Sequence, residues 1–419
     1  MATAAVVVAG VAWWDRAPEV PAAQARPAAT ATLIERGRLL ALAGNCAGCH
    51  TTRGGLPYAG GRALGTPFGT VYAGNLTPHD SGLGGWTAGH FWRALHHGRG
   101  FDGRRLVPAF PYTETTRITR ADSDALFAWL QTLPPVAQTH RPHELRWPYG
   151  SQAALAAWRV MFFRPGEWQP DPSRSAAWNR GAYLVNGPAH CVACHGGRNA
   201  LGATADAGFG GGLVPTRNWY APAFTRAGEA SVADWPLDEI VALLRDGRAP
   251  RGQAIGPMAE VVMQSTQHLP AEDLQAMAEY LKSIPVLPDP APARLRDPEL
   301  TALRVDAGAA LYREHCASCH GEQGAGGVLP NGTRAAPPLA GNRLVTQDPP
   351  ANLVRAIALG GFGAVTQGHP RPFGMPPFAH VLTEDQIGAV ATFLRRSWGA
   401  QAAPVSAPEV ARWRGGSEN

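Results

Sequence analysis

A five-residue pattern occurs three times in the chain and uses every cysteine that the chain contains. Two thiols at the C-x-x-C spacing can reach the two vinyl groups of one haem, and a histidine directly after them can ligate the iron. The copies are Cys46-Ala47-Gly48-Cys49-His50, Cys191-Val192-Ala193-Cys194-His195 and Cys316-Ala317-Ser318-Cys319-His320. The pattern predicts three covalent c-type haems, with thioether bonds from all six cysteines and His50, His195 and His320 as proximal iron ligands.

A C-x-x-C pair alone is also compatible with a redox dithiol, half a zinc site or a short-loop disulfide. A dithiol or a disulfide does not require a histidine directly after the second cysteine. Zinc sites usually combine pairs from separate loops. Three complete matches with no cysteine left over favour haem.

An iron that transfers electrons needs a sixth ligand, and a methionine sulfur raises its reduction potential. The third motif is followed by Met375 in Phe373-Gly374-Met375-Pro376-Pro377. The second is followed by Met258 in Gly256-Pro257-Met258, whereas Met263 fits a core-facing helical position. We expect Met258 and Met375 to be the distal ligands of the second and third haems.

The first motif departs from this pattern. At the corresponding place the chain reads Val107-Pro108-Ala109-Phe110-Pro111-Tyr112, and no methionine lies between Met1 and Met161. The alternatives are His96 or His97, with His90 and His79 behind them, Met161 from a later segment, or no sixth ligand. Loss of the thioether predicts a lower potential for this haem than for the other two.

The elements around the motifs repeat in the same order: a helix, the motif, a Gly/Pro-rich loop, a ligand region and a closing helix. Helical spacing predicts first helices at 33–43, 179–185 and 306–312, and closing helices at 121–133, 271–284 and 384–397. Thr119 with Asp122 and Thr383 with Gln386 are N-capping signals. The predicted fold class is mainly α, with three tandem class I cytochrome c domains, each a small helical fold around one covalent haem.

The predicted domains are residues 27–139, 173–285 and 299–399. Between them lie a tryptophan-rich segment at 140–172, expected to pack on the first two domains, and a Pro-rich linker at 286–298. Residues 1–26 form an apolar leader or anchor, too short in its apolar run to span a bilayer. Residues 400–419 form a tail with no secondary-structure pattern.

The charge pattern indicates no nucleic-acid partner. The net charge is +5 and the pI is near 9.0, but the arginines are scattered and form no basic run. The chain has no G-x-G-x-x-G after a strand, no P-loop and no cysteine left for an iron-sulfur cluster. We therefore expect no substrate-oxidising site of its own.

Together with the three C-x-x-C-H motifs, several further segments resemble the triheme cytochrome c subunits of membrane-bound periplasmic dehydrogenases. These segments lie at residues 66–72, 108–112, 162–166, 179–185, 198–202 and 256–262. The resemblance covers roughly residues 30–400. Relatives that serve quinoprotein alcohol or flavin dehydrogenases usually carry Pro-Ala-Met-Pro-Tyr where this chain has Phe110. The segment from Trp158 to Trp168 is similar to cytochromes paired with molybdopterin aldehyde, isoquinoline or nicotinate dehydrogenases, some of which place a methionine near Ile118.

This resemblance implies an electron-transfer subunit on the periplasmic side of the bacterial inner membrane. Its implied partner is a large catalytic dehydrogenase subunit, preferably of the molybdopterin type, together with an iron-sulfur small subunit. The resemblance also implies contact with the membrane surface and ubiquinone or a terminal oxidase as the electron acceptor. Two alternatives stay open. One is a quinoprotein alcohol or flavin sugar dehydrogenase partner, and the other is a catalytic, peroxidase-like or gas-binding cytochrome that uses an open first haem.

Overall fold

The computed structural model describes residues 29–205, 208–214, 217–289, 297–328, 336–372 and 374–415. The proposed leader at 1–26 and most of the Pro-rich linker lie outside these residues. The chain forms two compact units, each described separately below. The first comprises the described residues of Met1–Ala207 and Gln264–Tyr280, and the second those of Gly208–Met263 and Leu281–Glu418. The three predicted domain boundaries stay a prediction.

Helices dominate both units. Up to residue 205 they are α1 (Ala31–Ala43), α2 (Cys46–His50), α3 (Ala88–His97), α4 (Tyr112–Thr115), α5 (Arg120–Leu130), α6 (Gln152–Phe162), α7 (Ala176–Asn186) and α8 (Val192–His195). Further along they are α9 (Leu237–Asp246), α10 (Pro257–Gln264), α11 (Ala271–Lys282), α12 (Pro298–His315), α13 (Ala317–His320), α14 (Arg343–Thr346), α15 (Ala351–Leu359), α16 (Glu384–Arg396) and α17 (Ala407–Arg414). The prediction of a mainly α fold is confirmed.

The strands are short and antiparallel. In the first unit β1 (Ala63–Thr66), β2 (Gly69–Tyr72) and β3 (Glu144–Leu145) form a sheet in that order, with Ala63 opposite Tyr72. The second unit contains three two-stranded hairpins: β4 (Gly212–Leu213) with β5 (Tyr220–Ala221), β6 (Arg248–Ala249) with β7 (Gly252–Gln253), and β8 (Gly361–Phe362) with β9 (Gly374–Met375).

The predicted first and closing helices all form, because their local signals agree with their packing. Thr119 accepts a hydrogen bond from the Asp122 amide at the start of α5, and Thr383 with Gln386 forms a complete capping box at the start of α16. The third first helix is longer than predicted. Asp297 caps it, and Pro298 occupies its first turn, where proline costs no hydrogen bond.

A glycine lies at each crossing between a first helix and a closing helix. At these sites a Cβ atom would meet the backbone of the opposite helix, so only hydrogen fits. An added Cβ would lie 2.0 Å from the Ala125 oxygen for Gly37, 1.9 Å from the Ala276 oxygen for Gly181, and 2.2 Å from the Ala389 oxygen for Gly308. Each crossing also carries aromatic contacts, with ring centroids 5.2 Å apart in each: Tyr58 with Trp129, Trp178 with Tyr280, and Tyr312 with Phe393.

The tryptophan-rich segment at 140–172 makes several contacts within the first unit. The Trp158 indole donates to the Leu201 carbonyl at 2.9 Å, and the Trp168 amide donates to the Arg117 carbonyl at 3.0 Å. The Arg159 guanidinium, which is buried, lies 4.6 Å from the Phe163 ring centroid. Trp147 differs, since 89% of it is exposed.

The expectation that residues 400–419 lack regular structure was wrong. Residues 407–414 form α17, which begins with a capping box between Ser406 and Glu409. Val410 and Trp413 are buried, and the buried Arg355 donates to the Trp413 carbonyl at 3.2 Å. The helix forms because the two apolar side chains, one turn apart, lie on the core of the second unit.

Candidate haem centres

Each C-x-x-C-H motif forms one helical turn after a first helix: α2, α8 and α13. In the first two motifs a residue in the left-handed conformation redirects the chain immediately before the first cysteine, with φ of 44° at Asn45 and 39° at His190. In all three motifs the first cysteine is half-buried and the second is exposed; the half-buried set is Cys46, Cys191 and Cys316, and the exposed set is Cys49, Cys194 and Cys319. The helical turn and the exposure pattern of the two cysteines therefore repeat at all three sites.

The three half-buried thiols do not have the lowered pKa of a reactive dithiol. All six cysteines lie in the described part of the chain and none is in a disulfide. Burial, followed by the second cysteine of each pair, raises the pKa of Cys46 and of Cys191 to about 12, and that of Cys316 to about 11. A reactive dithiol needs a lowered pKa. Over the described residues, no group of three or more His, Cys, Asp or Glu side chains is arranged to hold a metal ion.

Two of the three motif histidines are oriented by backbone carbonyls. His50 Nδ1 lies 2.7 Å from the Gly74 oxygen, and His320 Nδ1 lies 3.0 Å from the Pro337 oxygen. A carbonyl only accepts, so Nδ1 carries the proton and Nε2 keeps its lone pair. Burial lowers the pKa of both rings, which keeps them neutral. These residues fit a haem iron, since a metal-ligating histidine is normally held in this way. His195 is half-buried at the end of α8.

The ligand regions also repeat. α3, α9 and α15 each end at a glycine with positive φ: Gly98 at 57°, Gly247 at 72° and Gly360 at 62°. After each glycine the chain pairs with itself, through an Arg99 to Arg105 bridge, the β6–β7 hairpin and the β8–β9 hairpin respectively. Phe110 and Met258 follow the first two pairings, and Met375 lies within the third. Each of the three residues therefore lies within or shortly after a chain pairing that follows a positive-φ glycine.

In the second unit, Met375 packs against the core cluster that also contacts Cys316. The structure thus brings the predicted distal ligand and the third motif to one core. Met258 lies in the first turn of α10 and packs against a small cluster with Ala259 and Val262. It belongs to the second unit, whereas Cys191, Cys194 and His195 belong to the first. Its role as a ligand stays a prediction.

Phe110 lies in the first unit where a methionine was expected. It is half-buried and packs against the same core cluster as Cys46. The buried Ile118 belongs to this cluster. Neither side chain has an atom that can ligate iron.

His96 and His97 do not face this core. On α3 the core face carries Ala88, Phe91 and Leu95. Successive helical residues are turned by about 100°, so His97 lies on the opposite side from Leu95. His96 shares a face with Trp92, and their rings stack with centroids 4.2 Å apart.

The remaining candidates are also placed elsewhere. The His90 ring caps the start of α3 and lies 4.6 Å from the Phe101 ring, and His79 bonds to Ser81 at 3.0 Å. Met161 is 54% exposed.

Sequence reasoning missed the glycines at the helix crossings and the carbonyls that hold His50 and His320. A glycine within each predicted first helix was the available signal for the crossings, because glycine is disfavoured in a helix interior unless packing requires it. The carbonyl partners, Gly74 and Pro337, had no signal, since any residue offers a carbonyl.

The helical units and their motifs define a c-type cytochrome. Residues 34–134 match the family model for cytochrome c, and residues 176–281 and 303–394 match the model for cytochrome C oxidase, cbb3-type, subunit III. Each matched segment contains one C-x-x-C-H motif. Covalent haem c is therefore the cofactor of this chain.

Relatives narrow the class to one family. The chain is 36% identical to the alcohol dehydrogenase (quinone) cytochrome c subunit of Gluconacetobacter polyoxogenes, over 93% of this chain and 85% of that protein. It is 33% identical to the gluconate 2-dehydrogenase cytochrome c subunit of Pantoea cypripedii, over 94% and 92%. It is 39% identical to a nicotinate dehydrogenase subunit of Pseudomonas putida over 88% of this chain, but it spans only 31% of that longer protein. The chain belongs to the family of cytochrome c subunits of dehydrogenases, and its role is electron transfer.

Among the helices of the described residues, none combines the length and the apolar character that crossing a bilayer requires.

Proposed function

We propose that the chain binds three haems and transfers electrons from a catalytic dehydrogenase subunit to membrane ubiquinone or a terminal oxidase. The single observation that supports three haems is a structural unit that occurs three times. In each unit a first helix crosses a closing helix at a glycine. The first helix is followed by a turn that carries one half-buried cysteine, one exposed cysteine and a histidine. The proposed iron ligands are His50, His195 and His320, with Met258 and Met375 opposite the second and third histidines.

The bound haems would supply one-electron chemistry, and this chain's residues would position them. The six cysteine sulfurs would hold the porphyrins through thioether bonds. The carbonyls of Gly74 and Pro337 fix the tautomers of His50 and His320 through Nδ1, at 2.7 and 3.0 Å. The thioether of Met375 would favour the reduced iron and so raise its potential.

The proposed partner is a large dehydrogenase subunit of the molybdopterin type, together with an iron-sulfur small subunit. Phe110 and the Trp158 to Trp168 segment support this choice through the resemblance described above, and the 39% identity to the nicotinate dehydrogenase subunit is in line with it. The alternative is a quinoprotein alcohol or flavin sugar dehydrogenase. The alcohol dehydrogenase cytochrome of Gluconacetobacter polyoxogenes favours it, because this chain covers 85% of that protein.

We place the chain on the periplasmic side of the inner membrane, at the membrane surface, because c-type haem is attached outside the cytoplasm. A tagged full-length chain, purified from its native membranes, tests the proposal. It should co-purify with a large subunit, and nicotinate or an aldehyde should reduce its haems in that complex but not in the isolated chain. Reduction by ethanol, fructose or gluconate instead would support the alternative partner. Substrate oxidation by the isolated chain would contradict the proposal.

A further inference from the structure

The predicted first haem site has Phe110 where the third has Met375, and only the methionine can ligate iron. Phe110 packs against the core that contacts Cys46, as Met375 packs against the core that contacts Cys316. Both residues are associated with a chain pairing that begins after a positive-φ glycine, Gly98 in one case and Gly360 in the other. The position that holds a thioether in the third site therefore holds a phenyl ring in the first.

The histidines and the methionine considered as sixth ligands of the first site are placed elsewhere. His96 and His97 leave the core-facing side of α3, and His143 Nδ1 accepts a hydrogen bond from the Tyr72 amide at 3.2 Å. The single lysine of the chain, Lys282, donates to the Ala233 and Trp235 carbonyls, and Met161 is more than half exposed. Cys46 and Phe110 pack against one core cluster, whose members include Leu95, Ile118 and Tyr58, and burial raises the pKa of the Tyr58 phenol so that it stays protonated.

We propose that the haem at Cys46 and Cys49 is five-coordinate, with His50 as its one protein ligand, and that its open position binds a small neutral diatomic molecule. The inference rests on the proposed attachment of a haem at this motif. A second consequence concerns spin state, because an iron without a strong sixth ligand is high-spin.

The side chains of the loop at residues 107–111 determine which class of ligand the open iron position would accept. Residues 107–111 read Val-Pro-Ala-Phe-Pro, and none of these side chains can donate a hydrogen bond. An anionic ligand such as cyanide or azide would be bound in apolar surroundings without a side-chain donor, which is costly. Carbon monoxide carries no charge. Its carbon lone pair forms a bond to ferrous iron, no protein bond breaks, and no electron is transferred.

The test is a carbon monoxide titration of the dithionite-reduced full-length holoprotein. We expect one of its three haems to bind the gas and the other two to keep their spectra. The Phe110→Met variant, which nearly conserves volume, should supply a thioether, abolish carbon monoxide binding and convert the high-spin signal to low-spin. Phe101→Met is the matched control, because Phe101 is 50% exposed, and its titration should equal that of the unsubstituted protein.

A protein with three haems and no carbon monoxide binding would overturn the inference. So would binding that appears only in His96→Ala or His97→Ala, since that would identify a histidine as the sixth ligand. A pyridine haemochrome assay separates this failure from failure of the proposed function. Three haems without gas binding refute the open site alone, whereas fewer than three refute the attachment on which it rests.

Discussion

The crossing of α12 and α16 at Gly308 makes a quantitative prediction, because two effects of Gly308→Ala have opposite signs. In a helix interior, alanine is more favourable than glycine by about 1 kcal/mol. Here the added Cβ would lie 2.2 Å from the Ala389 oxygen and 2.7 Å from the Phe393 Cβ. Both neighbours belong to α16, so the helices must separate by more than about 1 Å to reach ordinary contact.

The steric cost should win. Overpacking typically costs about 1 to 3 kcal/mol, and a clash with backbone is at or above the upper end, about 3 kcal/mol. The net loss of local stability is then about 2 kcal/mol, which corresponds to roughly 30-fold faster opening. Hydrogen exchange of the amides in α12 and α16 of the holoprotein measures it. The amides of α1 and α5, which cross at Gly37, should be unaffected.

A substitution elsewhere in α12 calibrates the propensity term. Ala310 is exposed, so Ala310→Gly should lose about 1 kcal/mol and accelerate exchange roughly fivefold. If Gly308→Ala exchanges at the original rate or more slowly, the two helices are not in the close contact described here.

Three further substitutions test other parts of the account. Met375→Ala should lower the midpoint potential of one haem by on the order of 0.1 V, which lies within the roughly 0.8 V range that axial ligands cover. An unchanged redox titration would exclude Met375 as a ligand. Arg395→Met should destabilise the second unit by about 3 kcal/mol or more, because each buried acceptor left unpaired costs about 1 to 3 kcal/mol. The buried Arg395 guanidinium donates to three carbonyls, those of Val345, Gln347 and Ala403. Unchanged protection of the α17 amides against hydrogen exchange would contradict this prediction. Burial first, and then His96 and nearby arginines, lower the pKa of His97 from 6.5 to about 4. The unfolded state therefore binds more protons between these pH values, stability falls as pH falls through that window, and His97→Gln should flatten the dependence in urea titrations. A slope identical to that of the unsubstituted protein would show that the folded state does not hold His97 neutral.

Local signals predicted the elements that depend on local physics. The capping pair of Thr383 and Gln386 fixed the start of α16 to the residue. The length of α12 was underestimated, because the side chains of its first two turns are mostly exposed, with Thr301 buried, and therefore lack a clear apolar period. α17 was missed for a different reason. Its apolar residues, Val410 and Trp413, are too few to form a helical pattern. Ser406 and Glu409, however, have the residue types and the spacing of a capping box, and this signal could have been recognised from the sequence.

In the candidate site, too, the features set by local sequence could be predicted, whereas those set by tertiary packing could not. The C-x-x-C-H spacing predicts the cysteines and histidines as haem-binding residues, because covalent attachment requires that spacing. Whether His96 or His97 could reach the first haem depended on the rotation of α3 about its axis, which only the packing of Phe91 and Leu95 reveals. The sequence shows Phe110 where the other two units have a methionine, but only the tertiary structure shows that Phe110 and Cys46 pack against the same core cluster.

Counting the haems that stay bound to the denatured chain tests the central claim most directly. Mass spectrometry of the denatured holoprotein should find three haems in the natural chain, two in the Cys316→Ala/Cys319→Ala double variant, and three in Ser318→Ala, which alters the same motif without removing a thiol. Fewer than three haems on the fully matured natural chain, or three on the double variant, would contradict the account.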